Sequence, residues 1–220
     1  MPPLVYDHVY RLKQEFPQLH ITIVRAVAEG DLVVLQENGA SVPGGPGQAN
    51  FDMYRVENGK VVEHWDVLQN EPASTVSGND MLSQLSTPSG NAAPTAVTAR
   101  DKGIALDYVT SLMQDHDLSA IGQYVAPSLY QHDPTLANGS AALEQSYSSL
   151  FARYPSFSVH IAQVIAEGDL VAVHVHLQDA PTDLGQAVFY VYRVRNGKIV
   201  EQWNSVQSVP ATSANDNTMF

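Results

Sequence analysis

A single offset organises this chain of 220 residues. Shifting the sequence by 138 positions lays PQLHITIVRAVAEGDLVVLQ, from Pro17, on PSFSVHIAQVIAEGDLVAVH, from Pro155. The same shift carries AEGDLV (Ala28–Val33) onto AEGDLV (Ala166–Val171), and YRVENGKVVEHWD (Tyr54–Asp66) onto YRVRNGKIVEQWN (Tyr192–Asn204). Pro17–Pro72 and Pro155–Pro210 share 24 identities in 56 positions without a gap. Self-similarity of this length reads as an internal duplication, so the chain must fold as two versions of one unit. The versions differ at their front ends. Met1 falls on Gly139, and nothing in the first version matches the stretch from about Val97 to Asn138. The predicted organisation is a partial unit at 1–82 without its front helices, a linker at 83–97 and a complete unit at 98–220. The linker, SQLSTPSGNAAPTAV, is uncharged and rich in Ser, Pro and Ala, the composition of a flexible connection.

The elements are clearest in the second unit. Ile104, Ala105, Tyr108, Val109, Leu112 and Met113 recur at helical spacing and predict a helix over Arg100–Asp115. A short helix is expected at Asp117–Val125 and another at Ser140–Phe151, opened by Asn138-Gly139-Ser140. Four strands then alternate: Ser156–Ile165, Leu170–Gln178, Gln186–Val194 and Lys198–Val206. Asn58-Gly59 and Asn196-Gly197 each join the last two strands of a unit, a strong hairpin signal. Helices followed by an antiparallel meander give an α+β class.

Composition narrows the chemistry. There is no cysteine, which removes disulfides, zinc–thiolate sites and cysteine nucleophiles. Acids outnumber bases 23 to 11, for a formal charge of −12. Such a surface repels nucleic acid and anionic membranes. No apolar run is long enough for a transmembrane helix, and MPPLVYDHVYRLKQEFP lacks the pattern of a signal peptide. The expected location is the cytoplasm.

Alternation sorts candidate residues by face. In the second unit His174 and His176 share a face, and His132 sits earlier, in LYQHDP. Three histidines could bind a metal, but an ion needs a matched further ligand and supporting shell, so no metal is expected. In the first unit His64 and Asp66 share a face, with Glu63 and Trp65 on the other, and Asp52 lies on the preceding strand. An Asp desolvated by apolar neighbours has its pKa raised toward the range of an acid/base catalyst; the alternative is an exposed hairpin Asp. The second unit has Tyr190, Gln202 and Asn204 at these three positions, and Asn cannot exchange a proton near neutral pH. Asp66, His64 and His132 are therefore the catalytic candidates. His174, His176, Tyr190, Asn204, Asp52 and Asp133 are the substrate-binding candidates. His132, His174, His176 and Tyr190 are expected to line a closed cone in the second unit. Trp65 and Trp203 are expected to pack in a core or an interface, and Arg55 and Arg193 to pair with a neighbouring-strand Glu.

The motifs LYQHDP, AEGDLVAVHVH, YRVRNGKIVEQW and the tail SANDNTMF resemble the SnoaL-like polyketide cyclase family of the nuclear-transport-factor-2-like superfamily. In the first unit the resemblance rests on AEGDLV, FDMYRVENGKVVEHWD and SGNDML. It implies a curved antiparallel sheet closed by helices into a cone, frequent dimers, and cofactor-free acid/base chemistry on small carbonyl compounds, closest to an aldol-condensation branch. It places the family's acid/base Asp at Asp66. The second unit departs there, with Asn204, and has Leu129 where the family carries a Tyr before Gln-His. Two functions stay open: a cofactor-free enzyme for aldol condensation, cyclisation or isomerisation, and a non-catalytic ligand-binding or assembly module. Without its front helices the first sheet would expose Val33, Leu35, Phe51 and Val62. The expected remedy is packing on the second unit together with homodimer formation, or an intact chain that begins about 40 residues earlier.

Overall fold

A computed structural model describes residues 10–41, 47–84 and 95–220. Most of the expected linker, 85–94, lies outside the described residues, and helix already begins at Thr95. Strands β1 (His20–Glu29), β2 (Leu32–Ala40), β3 (Gly47–Glu57) and β4 (Lys60–Asn70) form an antiparallel sheet in that order. Helix α1 (Thr95–Val109) runs into a π-helical turn (Thr110–Gln114), followed by α2 (Ser119–Tyr124), β5 (Val125–Gln131) and α3 (Ser140–Arg153). Strands β6 (Ser158–Glu167), β7 (Leu170–Gln178), β8 (Gln186–Arg195) and β9 (Lys198–Ser208) complete a second sheet ordered β5-β9-β8-β7-β6. The chain is therefore α+β, with helices concentrated on the second sheet.

The hairpins follow from turn chemistry. Asn58 and Gly59 both take positive φ (51° and 72°), as do Asn196 and Gly197 (52° and 77°). Asn and Gly tolerate the left-handed region that a tight hairpin turn needs. Strand β5 departs from expectation. It pairs with β9 in parallel, and its register breaks between Val125 and Tyr130, across Pro127. A proline lacking its N–H suits an edge strand with a broken ladder.

Each sheet has two different faces. One face of the second sheet carries Val171, Val173, Val188 and Tyr192, which pack beneath Tyr108, Leu112, Met113 and Leu143 of the helices. The opposite face carries Ala172, Phe189, Val191 and Trp203, which join Val34, Phe51, Met53, Trp65 and Val67 of the first sheet in one core. Phe51 and Phe189 stack across it at 5.7 Å. Phe51 is consequently fully buried, whereas Val62 is exposed.

Reciprocal bonds frame the interface. Ala28 N–H donates to Glu167 at 2.9 Å and Ala166 N–H to Glu29 at 2.8 Å. Leu68 N–H donates to Gln207 at 2.8 Å and Val206 N–H to Gln69 at 2.9 Å. Paired contacts of this kind mark a pseudo-two-fold relation between the sheets. Arg25 of β1 crosses to lie 3.9 Å above the Trp203 ring and donates to the Leu82 and Ser83 carbonyls. Burial lowers its pKa to about 9.

This shared core predicts that the two halves unfold together. Phe51→Ala should cost about 3–5 kcal/mol in urea unfolding, with one transition seen by both fluorescence and circular dichroism. A cost below about 1 kcal/mol, or two separated transitions, would contradict a common core.

Candidate active site

Residues 10–15 are helical, and the face of the first sheet turned away from the core keeps large apolar side chains exposed. Ile21, Ile23 and Val61 on it are 52%, 57% and 55% exposed. Strand register places its side chains in rows. Leu35 lies beside Asp52, and Asp52 beside Asp66; Val33 lies beside Tyr54, and Tyr54 beside His64; Glu37 lies beside Asn50. Partners across a sheet share a face, so Glu37, Asp52, Tyr54, His64 and Asp66 stand together.

Their contacts are close. His64 Nε2 lies 2.7 Å from Asp52 Oδ1, and the Tyr54 ring stacks on the His64 ring with centroids 4.6 Å apart. Tyr54 OH reaches the same Asp52 oxygen at 3.4 Å. The Asp52 side chain is 13% exposed and that of His64 43%. Glu37 is buried, and burial, reinforced by the adjacent Asp52 charge, pushes its carboxyl up to about 7. For His64 burial opposes the charge, but the Asp52 hydrogen bond and the neighbouring carboxylates outweigh it, and the imidazole pKa stands above its ordinary value. Burial and the same carboxylates push the Tyr54 hydroxyl well up, so it stays protonated and serves as a donor. The face thus combines a carboxyl titrating near neutrality, a stabilised imidazolium and a second carboxylate, the set that proton transfer requires. Asp52, His64 and Asp66 each offer one ligand atom within 4.8 Å of the others, the size of a divalent-cation site. The His64 nitrogen is instead engaged by Asp52.

The histidines of the second half lie elsewhere. His174 and His176 are on the opposite face from Tyr190, away from the helices. His174 is fully buried, stacks on Phe189 at 4.1 Å and hydrogen-bonds Gln163 at 2.8 Å; burial lowers its pKa to about 4. His176 Nε2 donates to the Leu184 carbonyl at 2.8 Å, beneath the Phe220 ring at 4.3 Å. His132 is fully buried against Trp203 at 4.9 Å, with Nε2 3.0 Å from Glu201 and Nδ1 2.6 Å from the Asp80 carbonyl. These three do not line a common cavity with Tyr190. That face is instead packed with aromatic rings: Tyr190 stacks on Tyr192 at 5.7 Å, and Tyr108 meets Tyr192 edge-on at 5.7 Å. Asn204 donates to Asp133 at 2.8 Å beside it. The structure thus brings together Asp52, His64 and Asp66 of the sequence candidates and adds Glu37, which the sequence reading does not single out. The signal for Glu37 was an acid at the position that the 138-residue offset pairs with apolar Val175.

Comparison with known proteins finds one family match, within the second half. Residues 105–202 match the SnoaL-like domain family. Solved structures similar to the chain include a presumed SnoaL-like polyketide cyclase from Jannaschia sp. CCS1 (15% identity, 52% of this chain and 90% of that one, TM-score 0.45). A presumed ketosteroid isomerase from Kribbella flavida aligns at 14% identity over 54% of this chain and 85% of its own, TM-score 0.45. An NTF2-like protein of unknown function from Mesorhizobium loti aligns at 20% identity over 53% and 98%, TM-score 0.45. No curated protein matches the chain. The SnoaL-like match contains Tyr190 and Asn204 and excludes Glu37, Asp52, His64 and Asp66.

The raised Glu37 pKa sets a pH signature. Its carboxyl is harder to ionise folded than unfolded, so its contribution to stability is complete below about 4.5 and is lost as pH rises through about 7. The melting temperature of Glu37→Gln relative to the parent should therefore climb between those pH values. A flat difference would contradict the placement of Glu37.

Proposed function

We propose that the chain is a cofactor-independent acid/base enzyme acting on a small carbonyl compound, with its reactive centre on the open face of the first sheet. The observation that carries this reading is the convergence of Glu37, Asp52, His64 and Asp66, with Glu37 poised at about 7. In this scheme the Asp66 carboxylate takes the proton α to the carbonyl. The His64 imidazolium, held by Asp52, donates a hydrogen bond to the oxygen as enolate charge develops. Glu37, protonated in part at neutral pH, returns a proton to the product. Enolate formation and reprotonation serve isomerisation, and attack of the enolate on a second carbonyl serves aldol condensation or cyclisation.

The second half acts in this reading as a scaffold, the complete unit of a duplicated pair whose first member spans 1–82. Its buried tyrosines and Asn204 provide no group that exchanges protons near neutrality. The non-catalytic alternative describes the second half better than the whole chain. Self-association through β1, whose Ile21 and Ile23 are exposed, belongs to the same proposal, as does a cytoplasmic location. No helix among the described residues is long and apolar enough to cross a membrane.

Exchange of α-hydrogens of small ketones in deuterium oxide, followed by NMR, tests the chemistry. The parent should accelerate exchange over buffer, and Asp66→Asn and Glu37→Gln should each reduce the enzymatic part about 100-fold with folding intact. Chelator should leave the rate unchanged. Full activity in Asp66→Asn would remove Asp66 as the base. A rate abolished by chelator would move the chemistry to a metal held by Asp52, His64 and Asp66.

A further inference from the structure

A cleft of ≈ 640 Å³ opens at the edge of β4, lined by Arg55, Glu63, Trp65, Asn217, Thr218 and Phe220 among others. Each of these six lies 138 residues from a position in the other half: Arg193, Glu201, Trp203, Asn79, Asp80 and Leu82. Four of those six hold His132 and its strand. The His132 ring stacks on Trp203 with an interplanar angle of 12°, its Nε2 meets Glu201 Oε1, and its Nδ1 meets the Asp80 carbonyl. Asn79 Nδ2 donates to the Gln131 carbonyl at 2.8 Å. Arg193 completes the arrangement, its Nε 2.8 Å from Glu201 Oε2.

The first half repeats the receiving groups without an occupant among the described residues. Arg55 Nε lies 2.9 Å from Glu63 Oε2, the same atoms in the same pairing, which leaves Glu63 Oε1 at the position where Glu201 takes the imidazole. The Arg193–Glu201 pair is fully buried beneath its histidine, whereas the Arg55 and Glu63 side chains are 31% and 50% exposed. The strand edge matches too. β9 is paired by β5 from Ile199 to Gln202, and His132 N–H donates to the Gln202 carbonyl at 2.9 Å. Among the described residues no strand pairs with the outer edge of β4, which ends its sheet.

We infer that this cleft is a socket for an extended polypeptide segment that runs parallel to β4 and inserts a histidine side chain between Trp65 and Glu63. Main-chain pairing along Val61–His64 supplies register, and the imidazole supplies specificity through the indole face and the carboxylate. The occupant is a histidine-bearing strand of the Leu-Tyr-Gln-His kind, because that is what the corresponding groups hold in the second half. His64 also borders this cleft, but the groups that receive the histidine, Glu63 and Trp65, project to the opposite face from Asp52 and Asp66.

A synthetic peptide of residues 125–134, acetylated and amidated, is the probe, and the indole N–H signal of Trp65 is the readout. Titration should shift that signal saturably, with a Kd below about 1 mM. The peptide with His132→Ala, and the parent peptide against a folded Glu63→Gln protein, should each bind at least about tenfold more weakly. Free imidazole should bind more weakly than the peptide, for want of strand pairing. No saturable shift, equal binding of the alanine peptide, or a shift confined to Trp203 would overturn the inference. Imidazole binding as tightly as the peptide would overturn the strand requirement.

Discussion

The sheet-on-sheet core is the contact on which the rest of the molecule depends. Left alone, the first sheet would hold its apolar face against water, at about 25 cal/mol for each Å². Its buried residues, Phe51, Met53, Trp65 and Val67, lie on the face that meets Phe189, Val191 and Trp203. Once that face is committed to the second sheet, alternation commits Glu37, Asp52, His64 and Asp66 to the other. The polar face therefore owes its exposure to the packing behind it. The reciprocal bonds of Glu29 with Ala166 and Glu167 with Ala28 fix the two sheets against sliding.

The two halves use similar sequence for different ends. Around Trp203 the second half buries an arginine, a glutamate and a histidine together, each fully shielded from water. Such a cluster tolerates no missing member, since removing one leaves a buried charge unpaired. Around Trp65 the equivalent arginine and glutamate are solvated and can stand without the third member. On the opposite faces the contrast reverses. The second half fills its covered face with tyrosines and Val175, whereas the first keeps carboxylates there, next to water. A carboxyl such as Glu37 remains titratable because it is close enough to the surface to exchange protons yet buried enough to be shifted.

Much of this was legible in the sequence, for physical reasons that also mark where legibility stopped. The Asn-Gly hairpins and the 138-residue offset gave the strands of both sheets, because turn chemistry and period-two alternation are local. Alternation also put His64 with Asp66, and Trp65 with Glu63, on the correct shared faces. It could not say which face the helices would cover. His174 and His176 were grouped correctly and assigned inward, but they turn toward Phe189 and Phe220. Strand β5 went unseen because Pro127 interrupts its pattern and its partner β9 is remote in sequence. Glu37 went unseen because it sits in the polar run Gln36-Glu37-Asn38, where alternation loses contrast.

The most direct test of the account is the titration of the Glu37 side-chain carboxyl, followed by carbon NMR and assigned by its disappearance in Glu37→Gln. The account predicts a midpoint near about 7, set by burial and by the neighbouring Asp52. A midpoint in the ordinary glutamate range near about 4.3 would contradict it, leaving the open face a solvated surface with no group poised for proton transfer.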